Sequence, residues 1–275
     1  QGATFSKGLQ LTWTTVHSAH AIERIGFAVT FKEQLPTKVV DKAWKSFEPR
    51  SGELRFDSRQ EQSLNEFTIV GDSHTVKKTP GWTSHRGVHG GQTIEALSLD
   101  GRTLSYESSD YRGWTKAKKR LQTVLGGIVE DLAVVVDVQS VDLNYTDRFV
   151  FNGLPSEADT SPLLSDQVLK LIDEGAMKSR KLWHLHRGWF KELHGQDFLV
   201  NQNIDVQEGA TPAGIVVRSL QILNKVELRP SQDYDAGGLE ELLEVLHSEG
   251  LEVFAECLSV LGQKMVNLYS PGRSQ

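Results

Sequence analysis

A single cysteine, Cys257, is all this chain has. One thiol can close no disulfide and build no cysteine-based zinc site within a chain. That points to a reducing compartment, and a cytoplasmic protein is the expectation. Long apolar runs are missing too. The longest, Leu132-Ala133-Val134-Val135-Val136, has strand length, far short of the roughly 20 residues a membrane helix needs. No membrane span is expected, and no secretory leader pattern opens the chain. Gln1 stands where a methionine would, which gives the expectation that a native start is missing. Catalytic signatures are lacking as well. There is no Gly-x-Ser-x-Gly elbow, no His-Glu-x-x-His, and no Walker or Rossmann glycine pattern. The expectation is binding rather than catalysis, with no cofactor.

What is present is globular. At 275 residues with 38% hydrophobic content, the chain is long enough to bury about three quarters of its unfolded surface. The net charge of −6 disfavours generic affinity for nucleic acid. The charge is unevenly spread, however. Residues 1–130 hold 18 Lys and Arg against 14 Asp and Glu, whereas residues 131–275 hold 12 against 22. A mildly basic half precedes a strongly acidic one. Solvated helix faces account for such a split, and so does a surface that steers a charged partner.

The two halves read alike. Each offers a strand, a helix, a run of strands and a closing helix. In the first, residues 22–31 alternate with Ile25, Phe27, Val29 and Phe31 on one face. Pro36 then opens a helix carrying Val40, Ala43, Trp44 and Phe47. Residues 54–59 and 66–70 read as short strands, and residues 77–91 as a Gly-, His- and Lys-rich loop. Asp100-Gly101 is the strongest local signal, a two-residue hairpin turn that pairs Leu97 with Leu104 and Glu95 with Tyr106. Ser109 or Asp110 is placed to cap the next helix, with Trp114, Ala117, Leu121, Val124, Leu125 and Ile128 as its apolar stripe.

In the second half, residues 134–151 read as a long strand whose parity switches near Gln139-Ser140, the mark of a bulge. A short helix over 165–172 and a hairpin turning at Gly195 follow, then a strand over 215–229. A long helix over 237–268 closes the chain, bent at Gly250. The expectation is an α+β fold: an internally duplicated strand–helix–antiparallel strands–helix unit, TATA-binding-protein-like or helix-grip-like. The repeats would span 20–130 and 131–268, packed as one globular unit.

Three segments resemble a known family. Tyr111-Arg112-Gly113-Trp114 resembles its Tyr-x-x-Trp at a helix start. Leu143-Asn144-Tyr145-Thr146-Asp147-Arg148-Phe149 is similar to its Leu-Arg-Tyr-Ile-Asn-Arg-Ile strand, and Leu246-His247 ahead of Phe254 fits its C-terminal pattern. The family is a set of sporadically distributed, uncharacterised bacterial proteins of about 250 residues. Asn144 and Asp147 depart from its Arg and Asn. The resemblance implies no activity; its patchy occurrence implies an accessory role linked to defence or mobile elements.

Candidate chemistry is sparse. Lys77, Lys78, Trp82, His85 and Arg86 mix cations with an aromatic, the means of neutralising phosphates and stacking a base. Arg112, Lys116, Lys119 and Arg120 would extend that patch along a helix face. The plainer reading is an exposed loop and a solvated helix. His184 and His186 share one side of a strand and are the candidate metal ligands, against the plainer reading of a polar strand face. Cys257 falls on an apolar stripe and reads as inert core. Asp147 and Arg148 read as an ion pair, and Trp183, Trp189, Phe190 and Tyr145 as core or pocket lining. The leading functional expectation is a non-catalytic binding protein that holds a protein partner. A nucleic-acid-binding module and a metal-dependent enzyme are the alternatives.

Overall fold

A computed structural model describes residues 13–268 apart from 58, 71–72, 90–91, 194, 212–213 and 230–237; side chains of 63–78 and 88–92 also lie outside the description. The strands are β1 (Trp13–Thr15), β2 (Ile22–Phe31), β3 (Gln60–Val70), β4 (Ser73–His89), β5 (Gln92–Asp100), β6 (Thr103–Ser108), β7 (Val138–Phe151), β8 (His184–Leu193), β9 (Gln196–Ala210) and β10 (Val216–Arg229). The helices are α1 (Thr37–Leu54), α2 (Trp114–Leu125), α3 (Ile128–Ala133), α4 (Asp166–Leu169), α5 (Glu174–Ser179), α6 (Leu239–Cys257) and α7 (Val260–Met265). All ten strands belong to one sheet in the order β3-β4-β5-β6-β2-β7-β10-β9-β8, with β1 paired to the end of β7. Every pairing is antiparallel. The fold is thus mixed α and β around a large antiparallel sheet.

Side-chain alternation decides which face is covered. Ile25, Phe27, Val29 and Phe31 of β2 and Val141, Leu143 and Tyr145 of β7 all enter one buried cluster with Val40, Trp44 and Phe47 of α1, Leu121 and Val124 of α2, and Leu243 and Leu246 of α6. Phe149, Phe151, Leu220 and Ile222 join Phe254 and Cys257 in a second. Both clusters draw a single parity from β2, β7 and β10. On the other parity Asn144, Thr146 and Gln221 are half-buried and polar. The bulge expected near Gln139 is present: Thr30 pairs with Ser140 but Phe31 with Val138. The extra residue lets Val138 and Val141 face the same core.

Several sequence expectations are corrected. Residues 77–89 are the end of β4, not a loop. β3 and β4 pair along their length, whereas β5 joins β4 only from Gly81 onward. The preceding residues therefore form a two-stranded ribbon. Residues 54–59 are not a strand: α1 runs to Leu54 and Arg55 caps it at φ 61°, leaving only Phe56 to bridge Arg86. The turn after β5 is shifted. Asp100 pairs with Thr103, so Gly101-Arg102 are the two loop residues and Leu99 faces Leu104. Gly101 alone has positive φ, at 57°, the pattern of a II′ turn rather than I′.

Residues 134–137 do not belong to a strand; Val134 follows α3 and is 89% exposed. The closing helix is two helices. Leu258 adopts extended geometry, and Ser259 starts α7 by accepting the Gly262 N–H at 3.1 Å. Gly250 does not interrupt α6. Cys257 is fully buried and burial pushes its thiol up to about 12, which suits inert core. Among the described residues no helix is long and apolar enough to cross a membrane.

Trp82 is the clearest consequence of this packing. It is fully buried, donates Nε1–H to the Val40 carbonyl at 3.2 Å, and lies against Trp44 and Phe47. Trp82→Ala is expected to destabilise by about 3–5 kcal/mol in urea unfolding. Phe190→Ala, at a side chain 66% exposed, is expected to stay within about 0.5 kcal/mol. The reverse ranking would refute the core assignment.

Candidate anion-binding cleft

β4, β5 and β6 carry polar residues at the ends of their helix-facing rows, where the apolar core runs out. On β5 the row Leu99, Leu97 ends in Glu95, and on β4 the row Trp82, Ser84 ends in Arg86. Arg86 and Glu95 stand directly opposite each other. Glu95 is 3% exposed, and an isolated carboxylate there would be strongly disfavoured. It is satisfied fully. Arg86 Nε donates to Oε2 at 2.6 Å, Arg120 Nη2 donates to Oε2 at 2.6 Å, and the Tyr106 hydroxyl donates to Oε1 at 2.8 Å. Burial pushes its pKa upward, but the two guanidinium groups and the phenol override it and hold the carboxyl below its usual value.

The network continues outward. Arg86 Nη2 also donates to Asp110 at 3.3 Å, and Arg112 Nε donates to the same carboxylate at 2.7 Å. Asp110 therefore serves the arginines and does not cap α2, whose N-cap is Gly113 without a side-chain bond. Arg120 further donates to the Leu54 carbonyl at 3.0 Å and lies 5.6 Å from the Phe56 ring centre. A cleft of about 390 Å³ opens above these groups, rimmed by Arg55 and Lys116 with Glu53, Glu95 and Asp110 in its walls. Five cations against three carboxylates leave a net positive site. Arg55 and Lys116 form no ion pair among the described residues, and Arg112 keeps a side chain 69% exposed.

Of the nine binding residues expected from sequence, four meet here: Arg86, Arg112, Lys116 and Arg120. The others do not. Trp82 is locked in the core and offers no face to a base. His85 has the parity opposite to Arg86 and points to the far side of the sheet. Lys119 lies outside the cleft lining, on the solvent side of α2. Lys77 and Lys78 lie on the β3–β4 ribbon, and their side chains fall outside the described residues. Sequence reasoning missed Arg55, whose place at the end of α1 follows only from where that helix stops. Glu95 was legible as a strand residue but not as a hub, since its three donor side chains come from β4, β6 and α2.

The metal candidates separate too. His184 and His186 share the exposed face of β8, but His184 hydrogen-bonds Asp205 and His186 bonds Asn203. Among the described residues no group of three His, Cys, Asp or Glu comes together to hold a metal ion. Asp147 and Arg148 are not a pair, because alternation sends Arg148 to the opposite face, where it meets Glu23 at 3.0 Å. Phe190 is exposed rather than core, while Tyr145 is buried. No protein-family model matches the chain, and no curated protein matches it.

Glu95 sets a pH signature. Its folded pKa lies below its unfolded value of about 4.3, so its contribution is complete above that pH and is lost as pH falls through the folded value. Glu95→Gln leaves Arg86 and Arg120 without their shared counter-charge; since both are partly hydrated, a loss of about 1–3 kcal/mol is expected at neutral pH. Urea unfolding at neutral pH and near pH 3 checks this. The gap between wild type and variant should close in acid, and a gap that stays constant would contradict the assignment.

Proposed function

We propose that this chain is a non-catalytic binding protein that holds a protein partner through an acidic segment received in the cleft of Arg55, Arg112 and Lys116. The observation that carries the reading is the preorganised base of that cleft. Glu95 and Asp110 fix Arg86, Arg112 and Arg120 in place, so a carboxylate or phosphate entering meets donors already oriented. A cleft of about 390 Å³ suits one or two acidic side chains. It does not track a strand of nucleic acid, and Trp82, the aromatic that stacking would need, is buried. The overall charge of −6 also opposes long polyanions. His184 and His186 are each engaged by a neighbour, Asp205 and Asn203, which supports binding over the metal-dependent enzyme reading.

The doubled architecture belongs to the same proposal. β2 pairs with β6, the last strand of the meander that follows it, and β7 pairs likewise with β10. Helix α1 follows β2, and α2 and α6 each follow a meander. This supports two related units at 20–130 and 131–268 with a TATA-binding-protein-like or helix-grip-like plan. It also fits the accessory role that the sequence resemblance implies in a bacterial cytoplasm.

Fluorescence anisotropy with labelled Glu/Asp-rich peptides and phosphopeptides, beside short oligonucleotides of equal charge, tests the reading. Acidic peptides should bind at low salt. Arg112→Glu and Lys116→Glu should each weaken binding about tenfold or more, mainly through slower association and a shallower salt dependence. Tight oligonucleotide binding with no peptide binding would favour the nucleic-acid alternative. No binding of any of them at low salt would end the proposal.

A further inference from the structure

A second cavity, of about 70 Å³, lies on the helix side of the sheet over the β2–β7 seam. A water needs about 10–15 Å³ of such space, so several waters or one small head group fit. Asp147 forms its floor. It is 1% exposed, and its Oδ1 has no hydrogen-bond partner. The neighbouring cation does not help, because Arg148 points through the sheet to Glu23. Among the described residues no ion pair includes Asp147. A buried carboxyl with an open lone pair is costly unless something else completes it.

The sheet is broken at the same place. β1 and β2 lie end to end along β7, with Val16 donating to the Arg148 carbonyl at 3.1 Å and Arg148 donating to that of Ala21 at 2.8 Å. Residues 17–20 loop out between them. β2 then slips register between Ile22 and Arg24, opposite Asp147 and Thr146. Such irregularities re-aim side chains beside functional sites. Here the loop delivers His20, whose Nδ1 is likewise buried and unpartnered. The walls are aromatic. Tyr111 stands edge-on to His20 at 5.3 Å and to Tyr145 at 6.1 Å, the Tyr145 hydroxyl bonds His247 Nδ1 at 2.9 Å, and Phe254 lines the α6 side.

We propose that this cavity binds a primary alkylammonium group, with Asp147 as its counter-ion. An ammonium brings three donors and a positive charge, and the site offers an unpartnered carboxyl oxygen, an unpartnered imidazole nitrogen and aromatic rings that attract cations. His20 accepts in the tautomer protonated at Nε2. Burial holds the Asp147 carboxyl well above the usual carboxylate range. An ammonium placed against it favours the charged form, so binding displaces a proton from whatever fraction of the carboxyl carries one.

Among the described residues, the other titratable groups facing Asp147 add no competing cation. Burial raises Tyr111 to about 12 and Tyr145 higher, and pushes Cys257 up to about 12. Burial lowers His20, with His17 behind it, and lowers His247 against the pull of Glu244. Affinity should accordingly rise with pH through the range in which the free carboxyl loses its proton.

Calorimetric titration in two buffers of different ionisation heat is the test, with n-butylamine, Nα-acetyl-lysine amide and the neutral isostere 1-butanol as probes. Both or either amine should bind with release of a proton, at least about tenfold tighter than butanol. Binding of the lysine amide would identify a lysine side chain as the source, and binding of butylamine alone a free small amine. Asp147→Asn should lower amine affinity about tenfold and abolish proton release. Amine and butanol binding alike, an unchanged Asp147→Asn affinity, or no amine binding up to about 0.1 M would overturn the proposal.

Discussion

The pairing of β2 with β7 is the constraint on which the rest depends. These strands form the middle of the sheet and join a five-strand run on one side to a four-strand run on the other. Their register sets Phe27 beside Leu143 and Val29 beside Val141. A slip of one residue would turn every one of these side chains away from the helices. The bulge at Gln139 belongs to the same constraint, since without the added residue Val138 would face the polar side. The break in the sheet before β2 is placed along this seam too, and it opens the cavity over Asp147. Core, bulge and second cavity are thus consequences of one strand pairing.

Charge plays a different part from the one its distribution along the chain suggests. The basic first half and acidic second half meet each other. Lys118 of α2 pairs with Glu240 at 3.0 Å and Glu244 at 2.6 Å on α6, and Trp114 donates to Glu244 at 2.9 Å. Trp114 also stacks on His247 with ring centres 4.1 Å apart. Part of the asymmetry is therefore used in holding α2 against α6, at partly exposed sites where each pair contributes little alone. Further positive charge is gathered in the cleft beside α2, where five cations meet three carboxylates. There Glu95 and Asp110 absorb part of the positive charge and give the remainder a fixed geometry.

The sequence was most legible where one face is buried and the period is clean. The alternation of β2, the stripe of α2, the β8–β9 hairpin and the parity switch in β7 all read directly. It was least legible where tertiary contacts outweigh local propensity. Residues 77–89 look like a loop by composition, yet β3 and β5 supply backbone partners that hold them as a strand. Val134 and Val135 look like strand residues, yet α3 ends just before them. Four of the expected binding residues converge because they happen to lie around one buried acid, and no spacing rule announces Glu95. Tyr111, Tyr145, Asp147, His247 and Phe254, far apart in sequence, all line the second cavity. That convergence became visible only with the topology.

Native-state hydrogen exchange across the sheet tests the central claim most directly. If the β2–β7 seam unites the molecule, amides of both strands should exchange only through global unfolding and share one slowest free energy, with β3 and β8 at the edges opening earlier. Two separate protection plateaus, one for the first half and one for the second, with fast exchange at the seam between them, would contradict it.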